Sequence, residues 1–190
     1  MEGRMNAGAT RIEPYVETQK QRAFERDFLA GWERYETWDG VEVGVPHPAA
    51  REFLVTEEDV LAFNRAAGET DPLFTDTEYA REHSPTGSLV VHPLFLTTVI
   101  FWCIGPEGPG SWVRTPGARN PFQKMEILEP FVVGETLTIR TQTVDRFVRR
   151  GLNYLTNLNE IYAGSTLKAR SFATLILPPT REDVRGFATA

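Results

Sequence analysis

A chain of 190 residues, 41% of them apolar and 24% charged, is long enough to bury about 70% of its unfolded surface without a disulfide or metal staple. Its net charge of −6, from 20 basic against 26 acidic residues with no basic stripe among aromatics, argues against nucleic acid as a partner. No run approaches the roughly 18 apolar residues of a membrane span; the opening MEGRMNAGATRIEPY lacks the apolar core of a secretory signal, and the one cysteine, Cys103, has no intrachain partner. A cytoplasmic protein without a membrane partner is the expectation.

In chain order, residues 1–36 read as a helical extension, 37–180 as the main domain and 181–190 as a tail. Phe24, Phe28, Leu29 and Trp32 fall at helical spacing, giving one apolar face that must pack on the body or a partner. Thr56 followed by Glu57, Glu58 and Asp59 predicts a capped helix over 57–67, with Asp59 in the capping-box position and Gly68 ending it. Asp71 and Pro72 predict a turn, and Asp76 caps a second short helix through Tyr79 and Ala80. Over 88–104, Pro93 suits a first helical turn. Leu94, Phe95, Val99, Ile100, Phe101, Trp102 and Ile104 cover nearly the whole circumference, predicting a helix buried on most sides.

The remainder reads as strands. Leu137, Ile139, Thr141 and Thr143 alternate on one segment, Leu152, Tyr154, Thr156, Leu158 and Tyr162 on the next, and Phe172, Thr174 and Ile176 on the last. Gly134, Gly151 and Gly164 mark the connections, and Ala163-Gly164 suits a tight hairpin. One buried helix followed by long antiparallel strands describes an α+β domain with a sheet wrapped around a helix.

The segment AGETDPLFTD at 67–76 resembles the active-site loop of the MaoC-like (R)-specific enoyl-CoA hydratases and dehydratases, which reads S-G-D-x-N-P-L-H-x-D in active members. HPLFLTTVIF resembles the start of that family's central helix, H-G-M-L. ILEPFVVGETLTIRTQTVD resembles its V-x-x-G-D-x-L strand entry. The resemblance spans about residues 38–177 and implies a single hot-dog fold that pairs with a second hot dog. The finer likeness is to the N-terminal, non-catalytic MaoC half, where an aromatic replaces the loop histidine and a proline replaces the helix glycine. Phe74 and Pro93 fit that pattern.

Hydration of an enoyl thioester needs a base for water, a proton for the α carbon and hydrogen-bond donors for the thioester oxygen. Phe74 cannot act on water, and Pro93 has no N–H to offer an oxyanion. One lost acid-base group is worth a factor of about 10² to 10⁴, and one lost oxyanion donor about 10² to 10³. The candidates left are Glu69 at the family's Asp position, Asp71 at its Asn position, and His92 at the histidine of H-G-M. Each has a plainer reading: a solvated loop carboxylate, a turn cap and a hydrogen-bonded structural histidine. His47 and His83 have no evident partners, and three scattered histidines with one cysteine make no metal site.

Arg146, Arg149 and Arg150, or Arg114, Arg119 and Lys124, are candidate contacts to the phosphates of coenzyme A. No glycine-rich phosphate loop follows a strand, so no nicotinamide, flavin or pyridoxal cofactor is expected. The resemblance implies a non-catalytic, substrate-binding subunit of a heteromeric hydratase or dehydratase. Its expected partners are acyl-CoA or an acyl carrier thioester and a catalytic MaoC-like paralogue, in a heterodimer or heterotetramer. The alternatives are a self-sufficient hydratase using Glu69 and His92, an acyl-CoA-binding module without turnover and, as a weaker option, a hot-dog thioesterase.

Overall fold

A computed structural model describes residues 13–189. Two short helices open it, α1 (Gln19–Ala23) and α2 (Phe28–Gly31). Thr18 and Gln21 form a reciprocal capping box on α1, and Asp27 caps α2 through the Leu29 and Ala30 N–H groups. The helical face expected across 21–32 is therefore broken at Phe24, which is extended, so that Phe24 and Phe28 meet edge to face. Two short strands follow, β1 (Pro46–Pro48) and β2 (Phe53–Leu54); His47 lies in β1 opposite Thr141.

Helix α3 (Glu57–Ala66) starts on Thr56, whose hydroxyl accepts from the Asp59 N–H, and Gly68 takes the left-handed conformation just beyond its end. The expected capping box is only half made. The Asp59 carboxylate accepts from the Thr56 hydroxyl and pairs with Lys20 of α1 instead of reaching the cap backbone. Asp71 caps a four-residue helix, α4 (Pro72–Thr75), where a turn was expected, and Asp76 caps α5 (Thr77–His83).

The central helix is a 3-10 turn, Pro93–Phe95, running into α6 (Leu96–Cys103). Eight residues are too few for a helix to hold alone. Burial of Leu96, Val99 and Ile100, at about 1.5–3 kcal/mol each, fixes it in the core. The expectation of burial on most sides fails on one flank: Leu94 is 53% and Phe101 37% exposed. Among the described residues nothing covers that flank fully.

Strands β3 (Arg119–Ile127), β4 (Thr136–Arg149), β5 (Leu152–Ala163) and β6 (Thr166–Leu177) form an antiparallel sheet in the order β1-β4-β5-β6-β3, with β2 also on β4. The β4–β5 hairpin turns on Arg150 and Gly151, both at positive φ, the conformation of a type I′ turn. Gly164 and Ser165 close the β5–β6 hairpin, as Ala163-Gly164 led one to expect. This antiparallel sheet with its central helix is the α+β hot-dog arrangement expected from the sequence.

On β5 the alternating set read from the sequence is not the one that faces inward. Leu155, Asn157, Asn159 and Ile161 are buried, while Leu152, Tyr154, Thr156, Leu158 and Tyr162 lie on the other side. Two asparagines in the middle of the buried set break its apolar period, so the outer set reads as the more hydrophobic one. On β4 the expected set, Leu137, Ile139, Thr141 and Thr143, is the buried one. The C-terminal segment is docked: Arg181 donates to the carbonyls of Trp32, Glu33 and Tyr35, ahead of α7 (Val184–Thr189). Gly117 permits that docking, since a Cβ there would meet the Ala188 backbone at 2.8 Å.

Candidate functional site

The loop after α3 is tied to the approach to the central helix by one buried side chain. Asn64 Nδ2 donates to the Phe74 carbonyl at 2.8 Å and to the Val90 carbonyl at 3.0 Å. The Glu69 N–H returns to the Asn64 carbonyl, and the Val90 N–H to that of Leu73. These bonds bring Glu69 to His92, with Oε1 and Nε2 3.4 Å apart and both side chains partly exposed. The spacing of 23 positions between them gives no local hint of this contact, which only the fold creates.

His92 is also a cap. Its Nδ1 accepts from the Leu94 N–H at 3.0 Å, which places the proton of the neutral ring on Nε2, facing Glu69. The ring rests against Phe63, centroids 5.7 Å apart. Such a histidine has no free lone pair with which to take a proton from water. Asp71 serves the loop instead: its carboxylate accepts from the Leu73 N–H at 2.8 Å, and among the described residues no bond joins it to Glu69 or His92. Phe74 is half-buried, held through its backbone by Asp71 and Asn64.

The start of the central helix has no spare donor. Pro93 lacks an N–H, that of Leu94 goes to His92 Nδ1, that of Phe95 to the His92 carbonyl, and that of Leu96 back to Pro93 and Leu94. Cys103, at the other end, is buried, and burial pushes its thiol up to about 12, so it carries no nucleophile near neutral pH. Among the described residues no cluster of three or more His, Cys, Asp or Glu side chains could hold a metal, and no helix is long and apolar enough to cross a membrane.

The six basic candidates do not form one site. Arg114 is fully buried, with its guanidinium donating to the carbonyls of Phe101 and Ile104 and pairing with Glu25. It is a structural residue and not a phosphate contact, a correction that follows from non-local burial. Arg146 is exposed but donates to the carbonyls of Trp38, Asp39 and Val41 and lies over the Trp38 ring, so its role is to hold that loop. Lys124 pairs with Glu126 on the β3 edge, and Arg119 stacks on Phe187. Arg149 and Arg150 stand exposed at the far hairpin.

Two cavities flank α6, with Thr97 and Phe101 lining both. The first, of about 460 Å³, lies beneath the N-terminal segment and touches Phe24, Asp59, Phe63 and Trp102. The second, of about 350 Å³, lies between α6 and the inner face of β5 and β6. Glu69 and His92 line neither. Its polar strand residues Asn157, Asn159 and Ser171 were not singled out by sequence, although two asparagines two positions apart on a strand are the signal that could have found them.

The fold is that of a hot-dog domain, with an acidic loop residue beside a histidine at the start of the central helix. The FAS1-like dehydratase domain region matches residues 42–170, and the chain belongs to that family. No curated relative matches it in sequence. Among solved structures, it is similar to the C-terminally truncated HadBC (3R-hydroxyacyl-ACP dehydratase) complex of Mycobacterium tuberculosis. The two share 20% identity over 73% of this chain and 98% of that one, at a TM-score of 0.62. The (R)-hydratase of A. caviae involved in PHA biosynthesis matches at 20% identity, with 73% and 98% covered and a TM-score of 0.57. The ChsH1-ChsH2 complex of M. tuberculosis matches at 13%, with 80% and 92% covered and a TM-score of 0.55. At these identities the likeness to the solved structures is one of fold.

Proposed function

We propose that this chain is the non-catalytic, substrate-binding subunit of a heteromeric MaoC-type enoyl-CoA hydratase or 3-hydroxyacyl thioester dehydratase. A paralogous hot-dog chain supplies the Asp/His dyad, and this chain binds part of the acyl thioester. The observation that carries the reading is the start of the central helix, where the Leu94 N–H is occupied by His92 and Pro93 has none. An oxyanion arriving there meets no free donor, and Phe74 supplies no base beside it. The heteromeric assemblies among the fold relatives, HadBC and ChsH1-ChsH2, support a paralogue as partner.

The 3.4 Å approach of Glu69 to His92 favours a second reading, a self-sufficient hydratase with Glu69 as base. Its weakness is the histidine, whose two ring nitrogens are both engaged. The two readings separate in one experiment. Hydration of enoyl-CoA thioesters is followed by loss of the conjugated thioester absorbance, for the purified chain alone and after co-expression with a MaoC-like chain carrying both Asp and His. Activity only in the mixture, retained in Glu69→Ala and His92→Ala, is the expected result. Activity of the chain alone, lost in either variant, establishes the second reading and ends the first.

A further inference from the structure

Between the N-terminal segment and the body of the domain lies the first cavity, about 460 Å³, a volume within the range of small-ligand pockets. Helix α3 presents Asp59, Ala62, Phe63 and Ala66 to it, at the spacing of one helical face. Two of those four are alanines, and the short side chains leave room above the helix. Across from them stand Thr98, Phe101 and Trp102 of α6. The roof is Tyr15, Val16, Thr18, Lys20, Gln21 and Phe24. The family region begins at residue 42, so the roof lies outside it and this cavity is a property of the chain rather than of the hot-dog domain alone.

The polar groups around the cavity are already matched to one another. Lys20 Nζ lies 2.5 Å from Asp59 Oδ2 and over the Phe53 ring, and Asp59 also accepts from the Thr56 hydroxyl. Arg26 pairs with Glu13 at 3.0 Å. Thr18 Oγ1 and Gln21 Oε1 are spent in the α1 capping box, and the Thr97 hydroxyl donates to the Leu94 carbonyl at 2.8 Å. Among the described residues, none of the buried side-chain polar atoms without a partner belongs to this lining. What the cavity leaves open to contact is hydrocarbon. Tyr15 is 74% and Phe101 37% exposed, Ala66 is exposed, and Phe24, Phe63 and Trp102 are partly exposed.

That pairing selects the occupant. A carboxylate drawn to Lys20 would strand Asp59, which is 6% exposed, and an ammonium drawn to Asp59 would strand Lys20. Either leaves a charge out of water without its partner, which is strongly destabilising. A hydroxyl or amide would give up its bonds to water and find no free partner on these walls. An aliphatic chain gives up nothing of that kind and takes the aromatic walls out of water.

We propose that the cavity beneath the N-terminal segment binds an uncharged aliphatic chain. That this chain is the hydrocarbon part of an acyl thioester rests on the function proposed above; that the cavity takes hydrocarbon does not. Phe63 connects the two, since it lines the cavity and also packs on the His92 ring, so the chain's site adjoins the Glu69–His92 pair.

Calorimetry of the full chain with methyl butanoate, methyl hexanoate and methyl octanoate tests this, with octanedioate as the charged counterpart. Affinity should rise about fourfold for each added methylene. Octanedioate, which must bring one carboxylate inside, should bind at least about tenfold more weakly than methyl octanoate. Ala66→Trp and Thr98→Trp fill the cavity from exposed positions on its two walls, and each should weaken methyl octanoate binding by about tenfold or more. Either variant alone carries the test if the other does not fold. Asn120→Trp, at an exposed residue of the second cavity, should leave that binding unchanged. No binding, affinity independent of chain length, octanedioate bound as well as the ester, or binding lost in Asn120→Trp and kept in the other two each overturns the proposal. A chain that passes yet adds nothing to a partner's turnover defeats the proposed function alone. A productive complex whose chain ignores methyl octanoate defeats this inference alone.

Discussion

Arg114 Nη1 lies 3.4 Å from Glu25 Oε2, joining a guanidinium that is 0% exposed to a carboxylate that is 45% exposed. The rest of the guanidinium is held by the Phe101 and Ile104 carbonyls at 2.9 and 3.0 Å, and it lies over the rings of Phe24 and Phe28. A buried cation needs this many partners, because desolvation otherwise outweighs the attraction. Three of the contacts come from the N-terminal segment. Arg114 is therefore the post to which that segment is fastened, and through Phe28 it helps to wall the second cavity.

Acid should loosen that fastening. Burial raises the Glu25 pKa, but the hydrogen bond from Arg51 and the charges of Arg51 and Arg114 outweigh it and hold the carboxyl below its ordinary value of 4.5. A folded-state pKa below the unfolded one gives stability that is present above pH 4.5 and is lost as pH falls through the folded value. Glu36 runs the other way: burial raises its pKa despite the Gly110 N–H it accepts, so its contribution is lost as pH rises above 4.5. Urea midpoints measured from pH 3 to 7 should fall less steeply toward acid in Glu25→Gln than in the unaltered chain. Glu36→Gln should remove a loss on the neutral side. Identical profiles for all three proteins would refute both assignments.

The Cys103 thiol should be inert in the native state. It is buried, and burial pushes its pKa to about 12, so the thiolate is scarce at pH 8 and access requires unfolding. A thiol reagent at pH 8 should label the denatured chain fully and the folded chain only at the rate of global opening. Fast labelling of folded protein would mean that the helix end is open.

The β3 edge should pair with another chain. Residues 119–124 are all exposed, with Phe122 at 53%, and this edge has no strand beside it among the described residues. An open edge with an aromatic on it is a ready site for strand addition. Phe122→Glu should weaken association with a paralogous hot dog, or self-association of the chain alone, by about tenfold while leaving the thermal midpoint of the monomer within a few degrees. An unchanged association constant in sedimentation would place the interface elsewhere.

What the sequence disclosed and what it hid divide along local and non-local lines. The caps at Thr56, Asp71 and Asp76 and the hairpin at Gly164 are short-range chemistry and stand where the residues put them. The hot-dog order of elements was legible from matched segments. Hidden were consequences of tertiary packing: Arg114, which looks like a surface cation and is buried; the inner face of β5, masked by Asn157 and Asn159; and the bare flank of the central helix at Leu94 and Phe101. Of the candidate dyad, both residues were visible, but the capping role of His92 depends on a backbone turn that no periodicity announces.

Asn64 should prove to be the residue that sets the geometry of the candidate dyad. It is fully buried in α3, with both amide hydrogens committed to the Phe74 and Val90 carbonyls and its own oxygen unpaired. Removing it leaves two carbonyls unsatisfied at about 1–3 kcal/mol each when sealed from water, so Asn64→Ala should cost roughly 2–6 kcal/mol. A simple packing role makes a different forecast: Asn64→Leu, which refills the volume, would then restore stability. The bridging role requires that Leu fail as well, because it cannot donate. The Val90 N–H, bonded to the Leu73 carbonyl, should lose hydrogen-exchange protection in both variants as the 69–76 loop separates from the approach to the central helix. Native protection in Asn64→Leu would show that packing alone holds Glu69 near His92.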